Sequence, residues 1–365
     1  MAMTQTMQTT GAEATPEAVD AFVGKFVTDL AAVLHGATVL VGDKLGLYKA
    51  MAANGEVTPA ELAAAVDCDP RFVEEWLNAQ AASEYCHYDA ASGRYHLDPA
   101  QQLCLADETH PAFVVGGMAV ASSVHKDEEI VTNAFRTGEG VGWHQHHADL
   151  FTGTERFFRP GYVGNLSAAW IPALDDVEAK LRAGARVADV GCGHGSSSVL
   201  LGQAYPASTV TGFDYHGPSI EVARKRAADA GVADRVSFEV ASADAFPGRD
   251  YDLVCIFDAL HDMGDPTEAL RHIKSSLAPA GTLLLVEPNA GDRVEDNINL
   301  VGRIFYSASS AICTPASRHQ AGDHAACLGA QAGEARLRHI AEDAGFTRFR
   351  RAAETPFNMV LELRP

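Results

Sequence analysis

The chain of 365 residues has no apolar run that reads as a membrane span; even Leu34 to Met51 is interrupted by Asp43 and Lys44. Its first residues, Met1 to Pro16, are polar and rich in Thr, Ala and Gln. They lack the basic stretch and apolar core of a secretion signal, so 1–16 is expected to be a disordered tail and the protein cytoplasmic. The seven cysteines include no Cys-x-x-Cys pair, which argues against a zinc site or a disulfide framework, and no metal is expected. Positive charge is scarce, with 28 Lys and Arg against 48 Asp and Glu; the formal charge of −20 opposes binding to a polyanion. What the chain does have is a 47% apolar composition, enough for sizeable cores in two or three domains.

The most informative stretch is Arg186-Val-Ala-Asp189-Val-Gly191-Cys192-Gly193-His-Gly195-Ser196. A short apolar run breaks into three glycines spaced by two, and an apolar helical pattern follows: strand, tight turn, helix. Such a turn lets a ligand lie against the backbone at the carboxyl end of a strand. A dinucleotide fingerprint would want its third glycine where Ser196 stands and has no use for an acid in the strand. Asp189 instead suits a ligand that bears a cation. Thr209 to Phe213 is a second strand ending in Asp214, placed to accept hydrogen bonds from ribose hydroxyls. Arg235 to Val240, Asp250 to Phe257 and Gly281 to Glu287 continue the alternation of strands and helices, the signature of a doubly wound parallel sheet.

The pattern Asp-x-Gly-x-Gly-x-Gly, with acids after the next strands, resembles the class I S-adenosylmethionine-dependent methyltransferases. That likeness implies a Rossmann-like seven-stranded methyltransferase sheet over 181–365, with Phe346 to Arg351 and Phe357 to Leu363 as its last strands. It also implies S-adenosylmethionine as cofactor and S-adenosylhomocysteine as product. Asp189, Gly191, Cys192, Gly193, Asp214, Tyr215, Asp244, Ala245, Phe246 and Asp258 would line the cofactor, with Phe246 as an apolar shelf beside the adenine.

After the fourth strand stands Phe257-Asp-Ala-Leu-His261-Asp262-Met263-Gly-Asp-Pro266. A histidine there can take a proton from a hydroxyl as a methyl arrives. With the helical N-terminal half, this segment resembles the winged-helix small-molecule O-methyltransferases, and more closely the bacterial subgroup with His-Asp-Met-Gly-Asp-Pro. The resemblance makes His261 the general base and Glu287 the carboxylate that orients it. Met263 stands where the family has tryptophan, and Gln331, with Glu334 a turn away, where it has a second acid. A metal-dependent catechol-type arrangement of Asp258, Glu287 and Asn289 is a rival within the class, although Pro288 interrupts it.

Residues 17–108 read as a winged-helix dimerisation domain of predominantly α-helical character. Val19 to Met51 is helical; Thr58-Pro-Ala-Glu61 and Asp69-Pro70 start two further helices; Tyr85 to Tyr88 and Arg94 to Leu97 flank a turn. From Thr38 to Ala106 four Lys and Arg face ten Asp and Glu, so no nucleic acid is expected as partner. Residues 109–180 form a helical linker with Gly116-Gly117 at a buried or closely packed helix. Its stretch Gly140-Val-Gly-Trp143-His144-Gln-His146-His147 offers Trp143, His144 and His147, with Tyr162 further on, as the roof of a substrate pocket. The expectation is a homodimeric methyltransferase acting on a small-molecule hydroxyl, away from membranes. Alternatives are a nitrogen or sulfur acceptor, or a regulator that binds the cofactor or another ligand together with DNA.

Overall fold

The structure, a computed structural model, describes residues 14–365. Of the tail expected over 1–16, residues 1–13 lie outside the described residues; Thr15 and Pro16 already open a helix. The chain divides into two compact units, one ending at Asp98 and one spanning Pro99–Pro365. Residues 99–108, grouped above with the winged helix, belong to the second.

In the first unit the helix Pro16–Lys44 starts with the Thr15 hydroxyl accepting from the Ala18 N–H, and Pro16 stands at the first helical position. The single helix expected to Met51 is broken at Gly46, whose φ of 70° ends the first helix before Leu47–Asn54 begins. By length and composition Pro16–Lys44 is long and apolar enough to cross a membrane. That corrects the expectation of no such stretch. Val19, Phe22, Val23, Phe26, Val27 and Leu30 are exposed along it.

The same helix is anchored near its other end. Trp76 fills the space that a Cβ on Gly42 would need, its nearest ring atom 2.4 Å from that position, and its indole N–H donates to the Thr38 carbonyl at 2.8 Å. The helix Pro59–Ala65 carries the expected capping box of Thr58 and Glu61, Asp69 caps Pro70–Ala82, and β1 (His87–Asp89) pairs antiparallel with β2 (Arg94–His96).

The second unit is built on a seven-stranded sheet. Its strands are β3 (Arg186–Val190), β4 (Thr209–Asp214), β5 (Val236–Val240), β6 (Tyr251–Phe257), β7 (Leu277–Pro288), β8 (Arg348–Glu354) and β9 (Asn358–Arg364). The spatial order is β5-β4-β3-β6-β7-β9-β8, parallel through β7 and antiparallel at the last two. Strand order reverses between β3 and β6, the switch point at which ligands of open α/β sheets bind. Both faces are covered: Val187, Val210, Leu253 and Trp170 belong to one core, Ala188, Val190, Val254 and Leu283 to the other. This double burial is why these strands read as continuous apolar runs.

The segment before the sheet is anchored by two glycines. The helices Gly116–Lys126 and Asp149–Asn165 cross so closely that a Cβ on Gly116 would lie 2.5 Å from the Arg156 carbonyl carbon, and one on Gly153 2.7 Å from the Val120 nitrogen. The second helix then widens into a π-helical turn, Leu166–Trp170. A Gly116→Val substitution drives a branched side chain into that crossing. It is expected to cost about 1–3 kcal/mol in urea unfolding, and an unchanged midpoint would place the helix contact elsewhere.

Candidate active site

At the end of β3 the chain turns through Gly191, Gly193 and Gly195 with φ of 74°, 52° and 75°. The Gly191 and Cys192 N–H groups donate to the Phe213 carbonyl at 2.8 and 3.1 Å, while space beside Gly193 is open. Cys192 is buried in this turn as a small packing residue. Asp189 is fully buried; its Oδ2 accepts from the Ser197 and Ser198 hydroxyls at 2.6 and 2.5 Å, and its Oδ1 is buried with no partner. Burial pushes this carboxyl up to about 6. At the end of β4, Asp214 Oδ2 accepts from the Gly193 N–H at 2.9 Å and Oδ1 from the His216 N–H at 2.8 Å, and burial raises its pKa.

An orphaned buried carboxylate oxygen, an open glycine turn and a second carboxylate with free lone pairs fit a ligand that has a cationic group and vicinal hydroxyls. Four other predicted contacts stand differently. Asp244 is exposed and accepts from the Ser242 hydroxyl at 2.5 Å, beside an exposed Ala245; Tyr215 is also exposed. Phe246 is no open shelf. It is buried against Phe213 and the edge of His272, so it supports the loop after β5 from within the core.

The catalytic candidates come from the next two strands. After β6, Asp258 takes a φ of 49° and its Oδ1 accepts from the Asn358 amide at 2.7 Å. A 3₁₀ turn, Leu260–Asp262, then carries His261 back to the end of β7. There Glu287, almost wholly buried, accepts from the Leu260 N–H at 2.9 Å through Oε1 and from His261 Nδ1 at 2.5 Å through Oε2. The carboxylate holds a proton on Nδ1 and leaves Nε2 as the nitrogen that titrates. Burial acts to lower the His261 pKa, but the carboxylates of Glu287 and Asp262 outweigh it and hold the ring well above its ordinary value. Burial, reinforced by Glu287, holds the Asp258 carboxyl well above the usual carboxylate range.

This turn is tied to the glycine turn and to the covering segment. A Cβ on Gly191 would meet the Ala259 Cβ at 3.0 Å. The Trp143 indole N–H donates to Asp262 Oδ2 at 3.0 Å, Gln320 donates to the Asp262 carbonyl at 2.8 Å, and Ser317 to the Met263 carbonyl at 2.9 Å. Trp143 therefore does reach the site. His144 packs edge-on against His319, and His147, with 43% of its side chain exposed, lies 3.7 Å from Asp149. The buried histidine of that stretch is His146, 2.9 Å from Asp127. Tyr162 is buried against Phe257 and Trp170, where burial and the neighbouring Asp258 and Asp189 charges push its phenol up.

Gln331 and Glu334 do not supply a second acid to His261. The Gln331 amide bonds the Ala330 carbonyl, and Glu334 pairs with Arg338 and Arg351. Asn289 is likewise held away from the metal arrangement considered above, by the Thr355 carbonyl and Arg351. Cys313, which the sequence offers only as one of the polar groups of 290–329 that could cover a substrate, stands beside His261, and Glu155, which accepts from Ser196 at 2.6 Å and pairs with Arg226, was not foreseen.

Residues 181–345 match the family model of a methyltransferase domain, and residues 34–106 that of an Rv2258c-like winged HTH domain. Residues 181–345 are a methyltransferase domain. Over 107 residues it is 38% identical to 27-O-demethylrifamycin SV methyltransferase of Amycolatopsis mediterranei (strain S699), covering 29% of this chain and 39% of that protein. It spans less than half the length of the curated relatives it matches. In fold it is similar to mitomycin 7-O-methyltransferase MmcR (TM-score 0.65, 21% identity, 96% of this chain and all of the other). It is also similar to human N-acetylserotonin methyltransferase, a structure that holds S-adenosylmethionine (TM-score 0.69, 16% identity, 97% and 99%).

In this methyltransferase domain the Glu287 carboxylate is the largest influence raising the His261 pKa. A Glu287→Gln substitution removes that influence while burial remains, and the ring's pKa is expected to fall. NMR titration of the histidine rings measures this, and an unmoved resonance would show that the charge reaches His261 from elsewhere.

Proposed function

We propose that the protein transfers a methyl group from S-adenosylmethionine to a hydroxyl oxygen of a small molecule, with His261 as general base. The observation that carries this reading is the buried bond between His261 and Glu287, one strand over from the glycine turn. The names of the rifamycin and mitomycin relatives describe O-methylation by those proteins, which supports oxygen as the acceptor here.

When bound, the cofactor supplies a methyl already activated by its sulfonium. The chain's own work is to align the acceptor, keep water out and accept one proton. Asp214 is placed for ribose hydroxyls and the Gly193 turn leaves room beside it. Glu287 fixes the imidazole with its proton on Nδ1, so Nε2 accepts the hydroxyl proton, and the nearby carboxylates make the ring a stronger proton acceptor than a free imidazole. A nitrogen or sulfur acceptor would use the same ring.

Calorimetric titration with S-adenosylmethionine, NAD and NADP is expected to show micromolar binding of the first alone, lost in Asp214→Ala. His261→Ala is expected to keep that binding while methyl transfer to an accepted substrate falls about 10²- to 10⁴-fold. A His261→Ala enzyme of undiminished rate would refute the base. Affinity also depends on pH with a defined sign. A cationic ligand favours ionised Asp189, so affinity is expected to weaken as pH drops below about 6 and to level off above it.

We further propose that the exposed stripe Val19, Phe22, Val23, Phe26, Val27 and Leu30 is covered by a second copy of the chain. Sedimentation is expected to report a dimer that Phe22→Glu with Phe26→Glu converts to a monomer. A monomeric wild type that binds lipid vesicles would instead assign the stripe to a membrane.

A further inference from the structure

His261 Nε2, a carboxylate oxygen of Asp262 and Cys313 Sγ all lie within 4.8 Å of one another, and all three residues are buried. Nε2 stands 3.3 Å from Asp262 Oδ1, yet that oxygen has no hydrogen-bond partner. With Nδ1 turned to Glu287, Nε2, the carboxylate oxygen and the sulfur face one small volume. Burial pushes the Cys313 thiol up to about 12 and the His261 ring is held protonated, so only a cation that displaces both protons turns the three groups into electron-pair donors around one charge.

We propose that His261 Nε2, Asp262 Oδ1 and Cys313 Sγ form a binding site for a zinc-class divalent cation. Two N or O donors bonded at about 2.0 Å at the tetrahedral angle stand roughly 3.3 Å apart, which is the Nε2 to Oδ1 separation. The mixture of nitrogen, sulfur and oxygen selects zinc, or cobalt in its place, over magnesium and calcium, which take oxygen alone. Each of the first two ligands is held by an outer partner: Glu287 accepts from His261 Nδ1 at 2.5 Å, and Trp143 donates to Asp262 Oδ2 at 3.0 Å. A histidine whose second nitrogen is fixed by a carboxylate is the usual support of a zinc ligand. Cys313 arrives on the π-helical turn Ser309–Cys313, a geometry frequent at functional sites.

Binding takes Cys313 as thiolate and His261 with Nε2 unprotonated, and both displaced protons leave to solvent. Three protein ligands leave a fourth position open. The inference rests on the general-base reading in one respect only. The lone pair that would take the acceptor's proton is the one the cation occupies, so a loaded protein is expected to be silent in methyl transfer.

The test is titration of the full-length, chelator-stripped protein with Co²⁺. One ion per chain is expected, with a near-ultraviolet thiolate-to-cobalt charge-transfer band, intense tetrahedral d–d bands in the visible, and displacement of both by Zn²⁺. Cys313→Ser, checked by circular dichroism for folding, is expected to abolish the charge-transfer band. Glu287→Gln is expected to keep it while weakening affinity about 10- to 100-fold. Absence of the band in the wild type, or its persistence in Cys313→Ser, would overturn the site. Turnover by the loaded protein then tests the base separately: undiminished methyl transfer with the band present would overturn His261 as base and leave the cation site standing.

Discussion

Burial of carboxylates constrains this molecule more than any other feature. Asp189, Asp258, Asp262 and Glu287 are buried or nearly so around the switch point of the sheet, where an uncompensated ionised carboxylate costs several kcal/mol (on the order of 3–5 kcal/mol when a partner is removed). The partners come from distant parts of the chain. Ser197 and Ser198 hold Asp189 from the first turn of the following helix, and Asn358 reaches Asp258 from β9. Trp143 holds Asp262 from the linker, and Leu260 and His261 hold Glu287 from the turn after β6. The sheet, the linker and the catalytic turn are thereby fixed by one electrostatic requirement, which also decides where function lies.

What the sequence makes legible follows from how local each signal is. Strand order and the acids at the strand ends show because each strand is an apolar run closed by glycine, proline or acid. His261 and Glu287 follow from the same pattern: His261 lies just past β6 and Glu287 at the end of β7. Cys313 could not be found this way. It sits in a stretch with no motif and meets His261 only through the packing of a π-helical turn. Spacing rules for metal sites detect ligands that are close in the chain, and this cluster draws on two separate segments.

Other departures have similar causes. Sequence alone cannot tell which of three histidines in four residues turns inward; the choice of His146 is made by Asp127. An aromatic after β5 suits a shelf or a core equally well, and the neighbouring Phe213 and His272 settle it as core. A lone glycine inside a helical pattern is tolerated often enough that Gly46 gave no firm break, although its φ of 70° makes it one. The apolar stripe of Pro16–Lys44 has the composition of a core helix, and only its exposure reveals that the first unit does not cover it.

The carboxylates around His261 can be satisfied by three kinds of positive charge, and the side chains discriminate among them. A proton on Nε2 answers His261 and Glu287 but leaves Asp262 Oδ1 at 3.3 Å without a hydrogen bond. A sulfonium has no coordination sites to offer, so it answers the charge of the acids as a whole and makes no demand on sulfur. A zinc-class ion alone answers the oxygen, the nitrogen and the sulfur together. Cys313 is therefore the residue that separates a purely acid-base site from one that also senses a metal. On the proposed roles, an acceptor's proton and a cation would compete for the same Nε2 lone pair, which would make methyl transfer and metal binding mutually exclusive states of one cluster.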